Sequence, residues 1–297
     1  MSTPQSGIFA EGSSFHHFLE YTIGDGFDGA AVSAAREAFT SLTVNGVVAF
    51  GPAAWSRLSD GHAPAALAPF EKITGAEGRV APATQRDLLI WLHGGDHDNV
   101  LDAAFDVQRR LSAHADIKLD LPGFQYRDSR DLTGFIDGSA NPKGGDRQAA
   151  ALVPDGEAGA GGAYVLSQKW VHDLDAFNQL SVPEQEGVIG RTKADSIELE
   201  GEAMPPDSHI SRTDVKIDGK GLKIYRRSAP YGTVTEKGLY FIAFSCDPSR
   251  FDVMLRRMYG IWDDNLHDHL IHFSAPVTGS YWFAPSEEDL EAAGCAI

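Results

Sequence analysis

The 297-residue chain has 42 acidic against 25 basic side chains, a formal charge of −17 and a pI near 4.9, which excludes nucleic acid and anionic membranes as default partners, because both reward basic patches. Its 42% hydrophobic and 23% charged composition is that of a globular protein, and its length suits roughly two domains. No apolar run approaches a membrane span, Met1 to Phe15 shows no secretory leader, and Cys246 and Cys295 make neither a disulfide framework nor a cysteine-rich metal site, so a cytoplasmic protein is expected.

The Ser-, Gly- and Thr-rich start reads as a frayed terminus. His16–Ile23 predicts a strand. Ala31, Ala34, Ala35, Ala38, Phe39 and Leu42 share one helical face, so a helix is expected over Asp28–Leu42. Asn45-Gly46 reads as a turn before a strand at Val47–Phe50, closed by Gly51-Pro52. Leu88–Leu92 predicts a strand, and Asn99–Leu111 a helix with Val100, Ala104, Val107 and Leu111 inward. Pro154–Gly162 is the linker candidate. Leu239–Phe244 then predicts a strand, and Phe251, Met254, Leu255 and Met258 give the inner face of a helix. Leu88–Phe105 overlays this later strand and helix at an offset of 151 residues, which places Asp96 on Asp247 and Val100 on Phe251. Two similar α+β halves are expected, residues 1–148 and 149–297, each an antiparallel sheet with peripheral helices. Tight turns such as Asp218-Gly219 fit that arrangement. No Gly-rich phosphate fingerprint follows a strand.

Four segments carry candidate chemistry. Asp137 stands in Gly134-Phe135-Ile136-Asp137-Gly138-Ser139-Ala140-Asn141-Pro142, either as a plain Asp-Gly turn or as an acid on a loop whose glycines admit a flat ligand. His209 follows Pro205-Pro206-Asp207-Ser208, where Asp207 or Ser208 can cap a short helix. Its imidazole is a surface group or a metal ligand. Arg226 lies in Ile224-Tyr225-Arg226-Arg227-Ser228-Ala229-Pro230-Tyr231-Gly232, exposed on a strand or turned inward as a fixed charge. His267-Asp268-His269, with His272 nearby, reads as a solvated helix face rather than a metal site.

These segments, with the late run Pro276-Val277-Thr278-Gly279-Ser280-Tyr281-Trp282-Phe283-Ala284-Pro285, resemble the dye-decolourising peroxidases, and among them the bacterial cytoplasmic type called class B. The resemblance implies two ferredoxin-like domains, with the distal Asp loop in the first and haem in the C-terminal half. It implies one haem b per chain, non-covalent, since no Cys-x-x-Cys-His attachment motif occurs. By resemblance His209 is the proximal iron ligand and Asp268 the acid that its other ring nitrogen meets. Asp137 becomes the distal acid–base group with Arg226 beside it, and activity is expected to peak in the acidic range. Ser228 is implied as a minor distal-pocket residue. Gly138, Ser139, Leu239 and Phe241 are placed around the haem, and Arg212 as a propionate partner.

The implied reaction reduces hydrogen peroxide through a ferryl intermediate and oxidises dyes or other aromatic donors by one-electron steps, with Trp262, Tyr259 and Trp282 as candidate relays. A homo-oligomer is expected, because such sheets have edges to hide. The first rival is a haem carrier, or a protein that releases iron from haem, with incidental peroxidase activity; a cofactor-free interaction module and a zinc hydrolase built on the late histidines follow.

Overall fold

The computed structural model describes residues 2–217, 219–262 and 264–297, so Asp218 of the expected Asp218-Gly219 turn lies outside the described residues. The first half runs β1 (Phe15–Ile23), α1 (Gly29–Thr40), β2 (Asn45–Phe50), β3 (Leu88–Gly94), α2 (His97–Leu111) and β4 (Ala115–Phe124). Its helices start where short acids can accept orphan backbone N–H groups. Asp28 takes that of Ala31 at 3.1 Å, and Asp96 that of Asn99 at 2.9 Å. Ala35 and Ala38 of α1 and Val107 and Leu111 of α2 are fully buried against the sheet.

The second half runs β5 (Ala163–His172), α3 (Val182–Ile189), α4 (His209–Thr213), β6 (Tyr225–Arg226), β7 (Ala229–Gly232), β8 (Lys237–Ser245), α5 (Ser249–Met258), β9 (Ser274–Pro276) and β10 (Ser280–Ala284). The first half orders its strands β2-β3-β1-β4, and the second repeats that order as β6-β8-β5-β10. β7 pairs with β8 and β9 with β5. Every pairing is antiparallel, as the α+β reading expects. The overlay at 151 residues matches β3 and α2 to β8 and α5. Phe283 of β10 pairs with Phe50 of β2, so the two halves join into one ten-stranded sheet among the described residues.

The sheet curls. Phe18 of β1 stacks on Tyr240 of β8 with ring centroids 4.0 Å apart, although four strands separate β1 and β8 in the sheet order. Gly123 on β4 likewise approaches Ala229 and Pro230 on β7. The inner faces therefore close over Phe18, Trp91, Val165, Phe244 and Trp282. A carboxyl group lies within this apolar interior. Glu20 is 1% exposed and accepts from the Tyr240 hydroxyl at 2.7 Å. Burial pushes its carboxyl up to about 7, against the hydrogen bond from Tyr240.

Between the ordinary carboxyl range and about 7 the unfolded chain releases this proton while the folded protein keeps it. Stability therefore falls as pH rises through that window, by about 3 kcal/mol if Glu20 acts alone. The loss of thermal stability between pH 5 and pH 8 is expected to shrink in Glu20→Gln. Identical pH profiles for the variant and the wild type would refute that assignment.

Three local expectations give way to packing. Asn45 and Gly46 belong to β2, opposite His93 and Leu92. A Cβ on Gly46 would lie 2.4 Å from the Phe39 ring, so this glycine serves a close helix–strand approach and not a turn. The N-terminal segment is docked: Gln5 is buried and donates to Val48 O at 2.8 Å and Pro285 O at 3.0 Å. Pro154–Gly162 is a run of turns tied to the core, with Val153 N donating to Gly162 O at 2.8 Å.

Candidate active site

Ser208 is fully buried and caps α4, accepting from Ser211 N through its hydroxyl. This sets His209 at the first helical position. The His209 Nδ1 lies 2.6 Å from Asp268 Oδ2, and Asp268 is fully buried. Its other oxygen, Oδ1, accepts from Leu270 N at 2.9 Å. An ionised carboxylate only accepts, so the ring proton sits on Nδ1 and Nε2 keeps its lone pair. His209 lines a large cavity at the second half of the chain.

Asp137 and Arg226 line the same cavity, with Gly138, Ser139, Leu239 and Phe241. Asp137 sits on a loop that the chain pins at several points. Its backbone N donates to Ser129 O at 2.9 Å, and its Oδ1 accepts from Gly138 N at 2.7 Å. Gly138 adopts φ +76°, the left-handed region that disfavours a side chain. Asn141 then ties the loop to β6 by a reciprocal pair: its amide donates to Arg226 O at 2.7 Å and accepts from Arg226 N at 3.1 Å. The acid and the arginine are thus set relative to each other through backbone, and no direct ion pair joins them among the described residues.

Leu239 and Phe241 alternate on β8 and face the cavity, while Tyr240 faces the sheet interior. Phe251, Met254, Leu255 and Met258 of α5 form another wall. Polar side chains interrupt this apolar lining, Gln168, Asp131, Arg191, Glu198 and Lys223 among them. Gln168 is 1% exposed, and its Nε2 has no hydrogen-bond partner. Asp131 meets His172 Nε2 at 3.1 Å and accepts from Thr133. Burial alone would raise the Asp131 carboxyl, but His172 and Thr133 outweigh it and hold the group below the usual range.

Family models match both halves: "Dyp-type peroxidase, N-terminal" over residues 26–125 and "Dyp-type peroxidase, C-terminal" over 128–289. The chain belongs to the Dyp-type peroxidase family. A dye-decolorizing peroxidase of Mycobacterium tuberculosis is 38% identical over 249 residues, covering 82% of this chain and 74% of that protein. One from Rhodococcus erythropolis is 37% identical, covering 82% and 73%. Among solved structures, a Dyp-type peroxidase protein of Shewanella oneidensis superposes with a TM-score of 0.92 at 36% identity, covering 98% of both chains. A DypB variant from Rhodococcus jostii in complex with haem gives 0.90 at 33% identity, covering 97% of this chain and 98% of that one.

In this Dyp-type peroxidase two sequence candidates stand apart from the cavity. Arg212 is 1% exposed, holds Asp264 in a two-point pair at 2.5 and 2.8 Å, and donates to Arg257 O at 3.2 Å. It lies three residues after His209 on a short helix and serves the contact with α5, so it does not line the cavity. Ser228 is also absent from the cavity wall, and its hydroxyl is buried without a partner in the bend between β6 and β7. Of the candidate relays, Trp262 is 39% exposed, whereas Tyr259 and Trp282 are buried in the core.

Asn141 stands within the Asp137 motif, yet nothing local in the sequence marks its bonds to Arg226, 85 residues away. Gln168 was missed altogether, because a glutamine inside the apolar run of β5 gives no local signal. The α5 face was legible as apolar but not as a cavity wall.

Proposed function

We propose that this chain is a haem peroxidase that reduces hydrogen peroxide and oxidises dyes or other aromatic donors, with one non-covalent haem b held by His209. The observation that carries this reading is the His209–Asp268 contact of 2.6 Å opening on an apolar cavity whose wall also presents Asp137 and Arg226. The residues fit the group. A neutral imidazole with Nε2 free is the axial donor that haem iron takes. The walls from β8 and α5 suit a flat apolar macrocycle, and the orphaned Gln168 amide offers a donor to its polar edge or to water. When bound, haem supplies an iron centre that delivers two electrons to peroxide and recovers them singly from the donor.

Asp268 keeps the His209 proton on Nδ1 and gives the ring partial imidazolate character. Asp137 takes the proton from one peroxide oxygen and returns it to the other as the O–O bond breaks. Arg226 supplies a fixed positive charge toward the oxygen that gains negative charge. Leu239 and Phe241 exclude water, which strengthens that charge interaction. Gly138 and Ser139 let the loop approach closely, and Ser139 is steadied by the Ser196 hydroxyl at 3.0 Å. Arg212 and Ser228 are left out of this scheme.

Three further readings belong to the proposal. The division at 148/149 would place the Asp137 loop in the first domain. The Asn141–Arg226 bonds and the start of the C-terminal family model at 128 support moving it into the second. A homo-oligomer is proposed from the sheet edges. A cytoplasmic location is proposed from composition, and no helix of the described residues is long and apolar enough to cross a membrane.

The test is an absorption spectrum of the haem-loaded protein before and after one equivalent of hydrogen peroxide, on wild type and His209→Ala. A Soret band that shifts within milliseconds and is lost or altered in the variant is expected. No band after loading would overturn the cofactor, and slow bleaching alone would favour a haem carrier.

A further inference from the structure

The late histidines take no part in this site, and the structure arranges them in a way that their spacing does not suggest. His267 and His272 lie on either side of Asp268, yet their rings turn toward each other with Nε2 to Nε2 at 2.8 Å. Glu77 brings its carboxylate to the same point from the first half of the chain. One donor atom from each of the three lies within 4.8 Å of the others. His269 meets Asp207 at 3.7 Å instead.

Two imidazole nitrogens face each other only when something positive lies between them, either a proton on one ring or a metal ion in its place. Arg79 identifies the proton here. A guanidinium only donates, and Arg79 Nη2 lies 2.6 Å from His272 Nδ1. The His272 proton is therefore on Nε2 and is donated to His267 Nε2. A metal ion at that point would displace the proton to Nδ1, and Arg79 would have to turn away. Arg79 also donates to Ile271 O at 2.9 Å and lies 3.7 Å from the Glu77 carboxylate, so it occupies the cationic place of the cluster.

We propose that Glu77, His267 and His272 form a site for one divalent transition-metal ion of the Zn²⁺ class, which Arg79 holds closed in the metal-free protein. Two imidazoles and a carboxylate are the donor set that zinc accepts, and imidazole selects Zn²⁺, Cu²⁺ or Ni²⁺ over Mg²⁺ and Ca²⁺. Glu77 and His272 are exposed, so solvent can supply a fourth ligand. The ion ties the turn at Glu77 to both flanks of Asp268, the residue that orients His209. It is a clamp between distant parts of the chain, and it is independent of the peroxidase reading.

Calorimetric titration of Zn²⁺ into the haem-loaded protein tests this. One ion per chain with micromolar affinity is expected. His267→Ala and His272→Ala should each weaken binding by at least about tenfold, since losing a ligand costs no less than losing an outer partner. Glu77→Gln should weaken it less, and Arg79→Gln should tighten it several-fold. Cu²⁺ as a paramagnetic probe should show coupling to two nitrogens in the wild type and to one in His267→Ala. An unchanged Soret band and metal-free unfolding temperature establish that each variant folds. Wild-type and Arg79→Gln proteins that both bind more weakly than millimolar, or binding that neither histidine variant alters, would overturn the site. An Arg79→Gln protein with wild-type affinity would overturn the role given to Arg79.

Discussion

Asp137→Ala is expected to lower kcat/KM for hydrogen peroxide by roughly 10²- to 10⁴-fold while the haem stays bound, the range for losing a positioned acid–base group. The loop should survive the change. The Asp137 side chain makes one hydrogen bond, to its own neighbour Gly138 N, while the loop is pinned by Asp137 N to Ser129 O and by Asn141 to Arg226. Arg226→Leu removes charge without removing the proton carrier, and a loss of about 10²- to 10³-fold is expected, as for a single oxyanion donor. In the proposed scheme both groups act on one O–O cleavage, so the double variant should fall little below the worse single variant. Peroxide reactivity within threefold of wild type in both single variants, with haem retained, would sink the acid–base assignment and leave a haem carrier.

The strands and helices were legible wherever apolar periodicity ran uninterrupted. Leu88–Leu92 and the helix after it needed only minor extension, to Leu88–Gly94 and His97–Leu111. The repeat was legible for the same reason, since both halves bury equivalent faces of the same βαββαβ order. Asp137, His209 and Arg226 were legible because each sits in a short contiguous motif, and the cavity gathers all three. Arg212 was not legible. A helix of five residues gives no periodicity from which to tell the cavity side from the α5 side, and the deciding partner, Asp264, is 52 residues away. The pairing of His267 with His272 escaped a reading based on helical spacing, because the chain forms a short 3-10 turn at His269–His272 and folds His267 back over it. Glu77 is farther still in sequence, and no local rule connects the two. Tyr259 and Trp282 show the same limit. Aromatic identity does not reveal depth, and both are fully enclosed.

Asp268→Asn tests how the proximal side is held, and a weakening of haem binding by about 10- to 100-fold is expected, as for other outer partners of metal ligands. The wild-type carboxylate accepts two hydrogen bonds, one from His209 Nδ1 and one from Leu270 N. Asparagine keeps the volume but offers one oxygen and one amide group, so one donor loses its acceptor. If the oxygen turns to Leu270 N, the amide faces His209 Nδ1 and drives the ring proton to Nε2. That tautomer has no lone pair left for iron. If the oxygen turns to His209, a buried backbone N–H is left facing a second donor, at a cost of about 1–3 kcal/mol. Either outcome loosens the proposed bond from His209 to iron, and the first removes its donor lone pair. Asp268→Glu cannot rescue the site, because the longer side chain must fit a position with no exposure at all. Haem titration followed at the Soret band separates the cases: a lower affinity with an altered band marks the lost ligand, and a lower affinity with an unaltered band marks the strained segment. Wild-type affinity together with a wild-type band in Asp268→Asn would show that the carboxylate has no part in holding the imidazole, and the proximal assignment would fall with it.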